Sequence, residues 1–271
     1  MLGEWILALS EWLLTLTQGQ EPWDAYARYL PRLMDGVWVT LQLVILSGIA
    51  GFLLAIPLAL MRIARSPGLW MLAYAYIFFF RGTPLLVQIF LVYYGLSQFE
   101  SLRNLGWLWT DVLSQPYWCA IIAFTLNTSA YIAELFRGAI QAVPVGELEA
   151  AQALGMSRRQ QYQSVVLPRA FGIILPAYGN EVILMLKGSA LASTITLMDL
   201  MGATRGAIAR TYLSLEFFLL AGLLYLLMTA LLIGAFRLLE RVYNAHQHAT
   251  HLSVKKLDAQ LRDEHLEQQV K

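Results

Sequence analysis

The chain has 271 residues, of which 58% are hydrophobic and only 14% charged, with a formal net charge of +1. A soluble domain of this length needs more charge to cover its surface, so the composition points to an integral membrane protein. The near-zero balance leaves no electrostatic footprint for nucleic acid, and the single cysteine, Cys119, excludes an internal disulfide framework or a Cys-based metal cage.

In chain order, the first 23 residues are apolar but carry no basic stretch at their start and are interrupted by Glu4 and Glu11. They read as a short interfacial helix with Trp anchors rather than as a signal peptide. Five apolar blocks follow, at about 37–61, 69–97, 117–143, 171–191 and 215–236. Each suffices to cross a hydrocarbon core about 30 Å thick, which takes about 20 helical residues. The predicted fold is therefore an all-α membrane protein with about five transmembrane helices. It divides into an N-terminal interfacial or periplasmic segment 1–36, a transmembrane domain 37–243 with a polar loop at 144–168, and a polar tail 244–271. All four histidines, His246, His248, His251 and His265, lie in that tail. Their spacing fits no compact ligand pattern, so no metal site is expected there.

Orientation follows from the basic residues, which favour the cytoplasmic side. Arg62 and Arg65, then Arg158, Arg159 and Arg169, then Arg237, Arg241, Lys255 and Lys256 fall on one side if there are five spans. Arg28, Arg32, Arg103, Arg205 and Arg210 oppose them. The larger sets place the N-terminus outside and the C-terminus in the cytoplasm.

The loop Glu149–Pro168 reads EAAQALGMSRRQQYQSVVLP. Good helix formers lead to Gly155, which can take positive φ and end a helix. Ser157 with Gln160 three residues later is a capping box that opens a second helix. Two short helices meeting at a sharp corner make a knob able to fill a partner's groove. An ordinary amphipathic hairpin between two spans is the other reading of these residues.

The frame E-A-A-x-x-x-G, nine residues, then V-x-L-P resembles the coupling motif of type I ABC importer permeases, with Val165 in place of the more usual Ile. Four further stretches resemble the polar amino acid branch of that family: Phe80–Gln88, Leu126–Glu134, Phe136–Ile140 and Leu175–Leu186. The resemblance covers about Val37–Asn244 and lies nearest the M-type membrane subunit of histidine/lysine/arginine/ornithine transporters. The chain departs from those proteins at Lys187-Gly188-Ser189-Ala190, where they have a short polar run. The family implies a permease subunit in a bacterial inner membrane, working by alternating access. Its expected partners are two ATPase subunits, a second permease subunit (a sister chain or another copy) and a periplasmic substrate-binding protein. ATP and Mg would sit on the ATPase, because no G-x-x-x-x-G-K-[ST] loop occurs here and this chain is expected to bind no cofactor. The resemblance assigns ATPase coupling to Glu149, Ala150, Ala151, Gly155 and Arg158.

Ionisable groups within a bilayer are costly and so mark candidate sites. Asn127, Tyr131 and Glu134 fall at i, i+4 and i+7, on one helix face. Asn180 and Glu181 lie about ten residues into the fourth block, roughly 15 Å deep. A buried carboxylate suits the ammonium or guanidinium of a basic amino acid. Thr83 and Gln88 flank Pro84, where a kink frees backbone carbonyls to line a cavity. These seven residues are the candidate substrate contacts. Set against them, Glu134 and Arg137 can neutralise each other, Arg81 can serve as structural partner to Glu134 or Glu181, and Asn180 can simply bond between helices. Ser193–Thr196 with Asp199 reads either as a gate or binding-protein contact or as a capped surface helix.

The function expected is amino acid import, of basic amino acids or alternatively of glutamine-like amino acids or opines. A membrane enzyme lacks a nucleophile–base pair at depth, and a passive channel would give the EAA loop no purpose.

Overall fold

The structure, a computed structural model, describes residues 2–17 and 20–269, with side chains for 4–16 and 20–243. The tail histidines therefore lie outside the described side chains. Among the described residues the elements are helical throughout: α1 (Leu2–Thr17), α2 (Trp23–Ile63), α3 (Pro67–Gly82), α4 (Leu85–Phe90), α5 (Glu100–Arg103), α6 (Pro116–Gln141), α7 (Val145–Ala153), α8 (Arg158–Gln161), α9 (Leu167–Gly188), α10 (Leu200–Thr211) and α11 (Ser214–Gln269). Four helical stretches are long and apolar enough to cross a membrane, and a bent pair makes a fifth. The first apolar block belongs to α2, which has 41 residues and starts well before position 37. At about 1.5 Å per residue it is roughly twice as long as the hydrocarbon is thick, so it projects beyond it. The projecting part packs Tyr26 and Tyr29 edge-on against Phe217 of α11.

Packing is closest between α2 and α6. Ser47, Gly51, Ala55 and Ala59 recur every four residues on one buried stripe of α2, so the two backbones approach closely. A Cβ on Gly51 would stand 3.2 Å from Thr128 of α6, and Ser47 Oγ donates to the Ile121 carbonyl at 3.3 Å. Cys119 is buried in this core as an unpaired thiol.

The second block is not a straight span. α3 and α4 are bent 106° from one another. Pro84 has no N–H to donate and disfavours helix at the residue before it, and Thr83 is accordingly extended at φ −112°, ψ 147°.

The fourth span also starts earlier than its apolar block. α8 does not stop after one turn but passes through a π turn at Tyr162–Val166 into α9, giving one helical stretch from 158 to 195. That wide turn accommodates Pro168, which lacks the donor of a regular helix. The corner thus joins one short helix, α7, directly to a span.

Beyond α9 the chain tightens through Ser189–Ile195, reverses at Thr196 (φ 64°) and enters α10. A Cβ on Gly36 would lie 2.9 Å from the Asp199 carbonyl oxygen, and Thr40 Oγ1 accepts the Leu200 N–H at 3.1 Å. This contact fastens α10 to α2 at the end of the bundle opposite α7.

Candidate functional site

The bend between α3 and α4 leaves helix-end carbonyls unpaired, and two side-chain amides take them. Gln88 Nε2 donates to the Phe80 carbonyl at 2.9 Å, to the Thr83 carbonyl at 3.1 Å and to Thr83 Oγ1 at 2.8 Å. Asn127 Nδ2, from α6, donates to the Phe80 carbonyl at 3.1 Å and to Gln88 Oε1 at 2.9 Å. Gln88 is buried, so this bracket fixes the bend in an apolar setting where unmet polar groups are costly.

Beside the bracket lies a cavity of about 290 Å³ lined by Thr83, Asn127, Tyr131 and Glu181, with Phe124, Thr128 and Met185 among its apolar and hydroxyl walls. Four of the seven candidate residues therefore share one space, brought from the α3–α4 break, α6 and α9. Asn127 Nδ2 is committed to the bracket, which leaves its Oδ1 as acceptor for a ligand cation. Thr83 Oγ1 is engaged with the Phe79 carbonyl and Gln88. Glu181 makes no hydrogen bond or ion pair among the described residues.

The other three candidates stand elsewhere. Gln88 serves the bracket. Asn180 is exposed and outside the cavity. Glu134 shares a helix face with Tyr131 but turns into a clamp: Arg62 Nε meets its Oε1 at 3.0 Å and Arg137 Nε its Oε2 at 2.8 Å. Arg62 also rests against the stacked rings of Trp70 and Tyr74, with centroids 5.0 and 5.2 Å away. The clamp ties the ends of α2, α3 and α6 together. Its long-range partner, Arg62, lies 72 residues away in sequence, so no helix-face argument reveals it. Arg81 forms no ion pair with either carboxylate, and its guanidinium stands 5.2 Å from the Tyr131 ring centroid.

The corner at Gly155 has the geometry its residues call for. Gly155 takes φ +75°, its N–H meets the Gln152 carbonyl at 2.9 Å and the Met156 N–H meets that of Ala151 at 3.1 Å, a Schellman stop. Ser157 and Gln160 close the capping box that opens α8. Glu147 pairs with Arg169 at 3.1 Å, tying α7 to α9. Glu149, Ala150, Gly155 and Arg158 are exposed whereas Ala151 is buried beneath them. Leu154 at the tip is 81% exposed.

At the opposite end, Ser193 and Thr194 donate back to the Ala190 and Leu191 carbonyls. Asp199 caps α10 by accepting the Gly202 N–H at 3.0 Å, yet it is completely buried, so the capped helix is not the surface feature its polarity suggests. A groove of about 300 Å³ lined by Tyr29, Arg32, Asp35 and Arg210 opens nearby.

A helical bundle with a broken span, a carboxylate-lined cavity beside the break and an exposed helical corner at one end has the layout of a transport permease. The chain belongs to the family of binding-protein-dependent transport system inner membrane components, which matches residues 48–244. It is thus a multi-pass membrane permease subunit and not itself an enzyme. It is 47% identical to the octopine transport system permease protein OccM of Rhizobium radiobacter over 208 residues, 77% of this chain and 84% of that protein. It is 44% identical to the arginine ABC transporter permease protein ArtM of Escherichia coli K12 over 213 residues, 79% and 95% of the two chains. A solved structure described as an amino acid ABC transporter with histidines superposes with a TM-score of 0.71 at 36% identity, covering 79% of this chain and 95% of that one.

Proposed function

We propose that this permease subunit carries cationic amino acids inward across a bacterial inner membrane. The observation that supports the substrate class is the lone Glu181 carboxylate in a cavity with Asn127 Oδ1 and the Tyr131 ring. A carboxylate, an amide oxygen and an aromatic face together suit an ammonium or guanidinium. The name of the arginine permease relative agrees with that chemistry. The octopine permease relative favours a second reading, an opine, which carries a further carboxylate.

In this reading α7 and the corner at Gly155 face the cytoplasm, with the N-terminus periplasmic and the C-terminus cytoplasmic. Two ATPase subunits bind ATP and Mg and grip the knob around Glu149, Gly155, Arg158 and Leu154. Their closure pushes α7, and the Glu147–Arg169 pair and the continuous α8–α9 stretch carry that push to the segment bearing Glu181. The cavity then opens outward to receive an amino acid from the periplasmic binding protein, and hydrolysis returns it inward. A second permease subunit completes the pathway.

The test is competition against labelled arginine uptake in vesicles holding the whole complex, with wild type and Glu181→Gln side by side. Histidine, lysine and ornithine should compete, and the variant should lose at least about tenfold in apparent affinity, as loss of a charged contact implies. Competition by glutamine or an opine alone, with the variant unaffected, would remove both the substrate class and the site.

A further inference from the structure

Two cavities flank the end of α3, and each holds one glutamate. One, of about 320 Å³, is lined by Arg62, Tyr74, Arg81 and Glu134, and its carboxylate is satisfied by Arg62 and Arg137. The other is the cavity of Glu181, whose carboxylate has no hydrogen bond or ion pair among the described residues. Arg81 lines the first cavity and leans on Tyr131, a wall of the second. Among the described residues it is in no ion pair, and the Tyr131 ring it rests on lines the same cavity as Glu181. An aromatic face holds a guanidinium less firmly than a bidentate carboxylate does, so this seat is one a side chain can leave. Arg81 also stands just before the 106° break at Thr83–Pro84, where a change in bend would move it.

We propose that Arg81 is the resident counter-ion of the translocation cavity. In the empty permease its guanidinium neutralises Glu181 at a distance, and a cationic substrate takes over that role and displaces it. An unopposed carboxylate in a membrane is costly, so the resident cation lets the cavity exist without ligand. It also sets selectivity: a ligand without positive charge gains nothing by displacing Arg81, whereas a cation exchanges one pairing for another. The inference rests on the reading of Glu181 as the substrate carboxylate.

The experiment is equilibrium binding of radiolabelled L-arginine to the assembled permease–ATPase complex in nanodiscs, without binding protein. It compares wild type, Arg81→Gln, Glu181→Gln and the double variant. Glu181→Gln should weaken binding and Arg81→Gln should tighten it by about tenfold. The double variant should match Glu181→Gln, because Arg81 acts only through that carboxylate. An unaffected Glu181→Gln would sink the site reading itself, and this inference with it. A weakened Glu181→Gln beside an unchanged Arg81→Gln would sink the counter-ion alone. Weaker binding in Arg81→Gln would do the same, by showing that Arg81 holds the substrate's carboxylate. If Arg81→Gln fails to assemble, rescue by Glu181→Gln in the double variant supports the pairing, and no rescue overturns it.

Discussion

Asp199 shows how a residue can satisfy its local rule and still strain its setting. One oxygen caps α10, while Oδ2 is buried without a partner. Burial pushes its carboxyl from its ordinary 3.8 up to about 6, against the opposing pull of the Gly202 N–H and of Arg205. A raised carboxyl value means that the folded state prefers the protonated form. The stabilisation is complete below about pH 4 and is lost as pH rises through about 6, amounting to about 3 kcal/mol over the whole shift. The melting temperature of the purified protein should therefore fall as pH rises from about 4 to about 6. Asp199→Asn keeps a capping oxygen and should flatten that window; an unchanged profile would show that another group titrates there. Glu134 makes the complementary case. Removing its charge leaves Arg62 and Arg137 without their carboxylate, so Glu134→Gln should cost on the order of 3 kcal/mol of stability. Arginine affinity should stay within about twofold of wild type in the same protein, and a selective loss of affinity would return Glu134 to the substrate path.

Among the elements, legibility followed the range of the interactions. The corner was readable because its devices are local: Gly155 after a helix-forming run, and Ser157 three residues before Gln160. The Thr83–Pro84 break was readable as a kink, but the bracket that stabilises it was not, because Asn127 lies 47 residues from Phe80. Gln88 and Asn127 look alike in sequence, as polar groups among apolar ones, and only packing divides structural from cavity-lining roles. Gln88→Leu should orphan the Thr83 carbonyl, leave Asn127 as the one side-chain donor to the Phe80 carbonyl, and cost about 1–3 kcal/mol, read as lower melting and poorer recovery from the membrane. Unaltered stability would mean that Asn127 alone holds the bend. Gly155→Pro removes the N–H used in the Schellman stop and forbids positive φ. The variant should insert normally yet co-purify with far less ATPase; full co-purification would make the corner dispensable.

At the scale of the whole molecule, composition and block lengths carried the class, because a bilayer imposes length and apolarity on every span. The block boundaries were less legible: α2 and the 158–195 stretch run past their apolar cores, since helix propensity continues where hydropathy stops. The two ends of the bundle differ in a way that suits opposite tasks. One carries the exposed corner and the Arg62–Glu134–Arg137 clamp, and the other the α2–α10 fastening and the groove of Arg32, Asp35 and Arg210. Between them lies the Glu181 cavity; on the proposed function, work applied at α7 crosses the bundle to reach it. The most direct measurement is uptake of labelled arginine into proteoliposomes containing the full complex, with binding protein outside and ATP either enclosed or omitted. Accumulation only with enclosed ATP and binding protein, abolished by Gly155→Pro, is the predicted result. Equal entry without ATP, or no loss in the variant, would contradict a pathway driven through the corner.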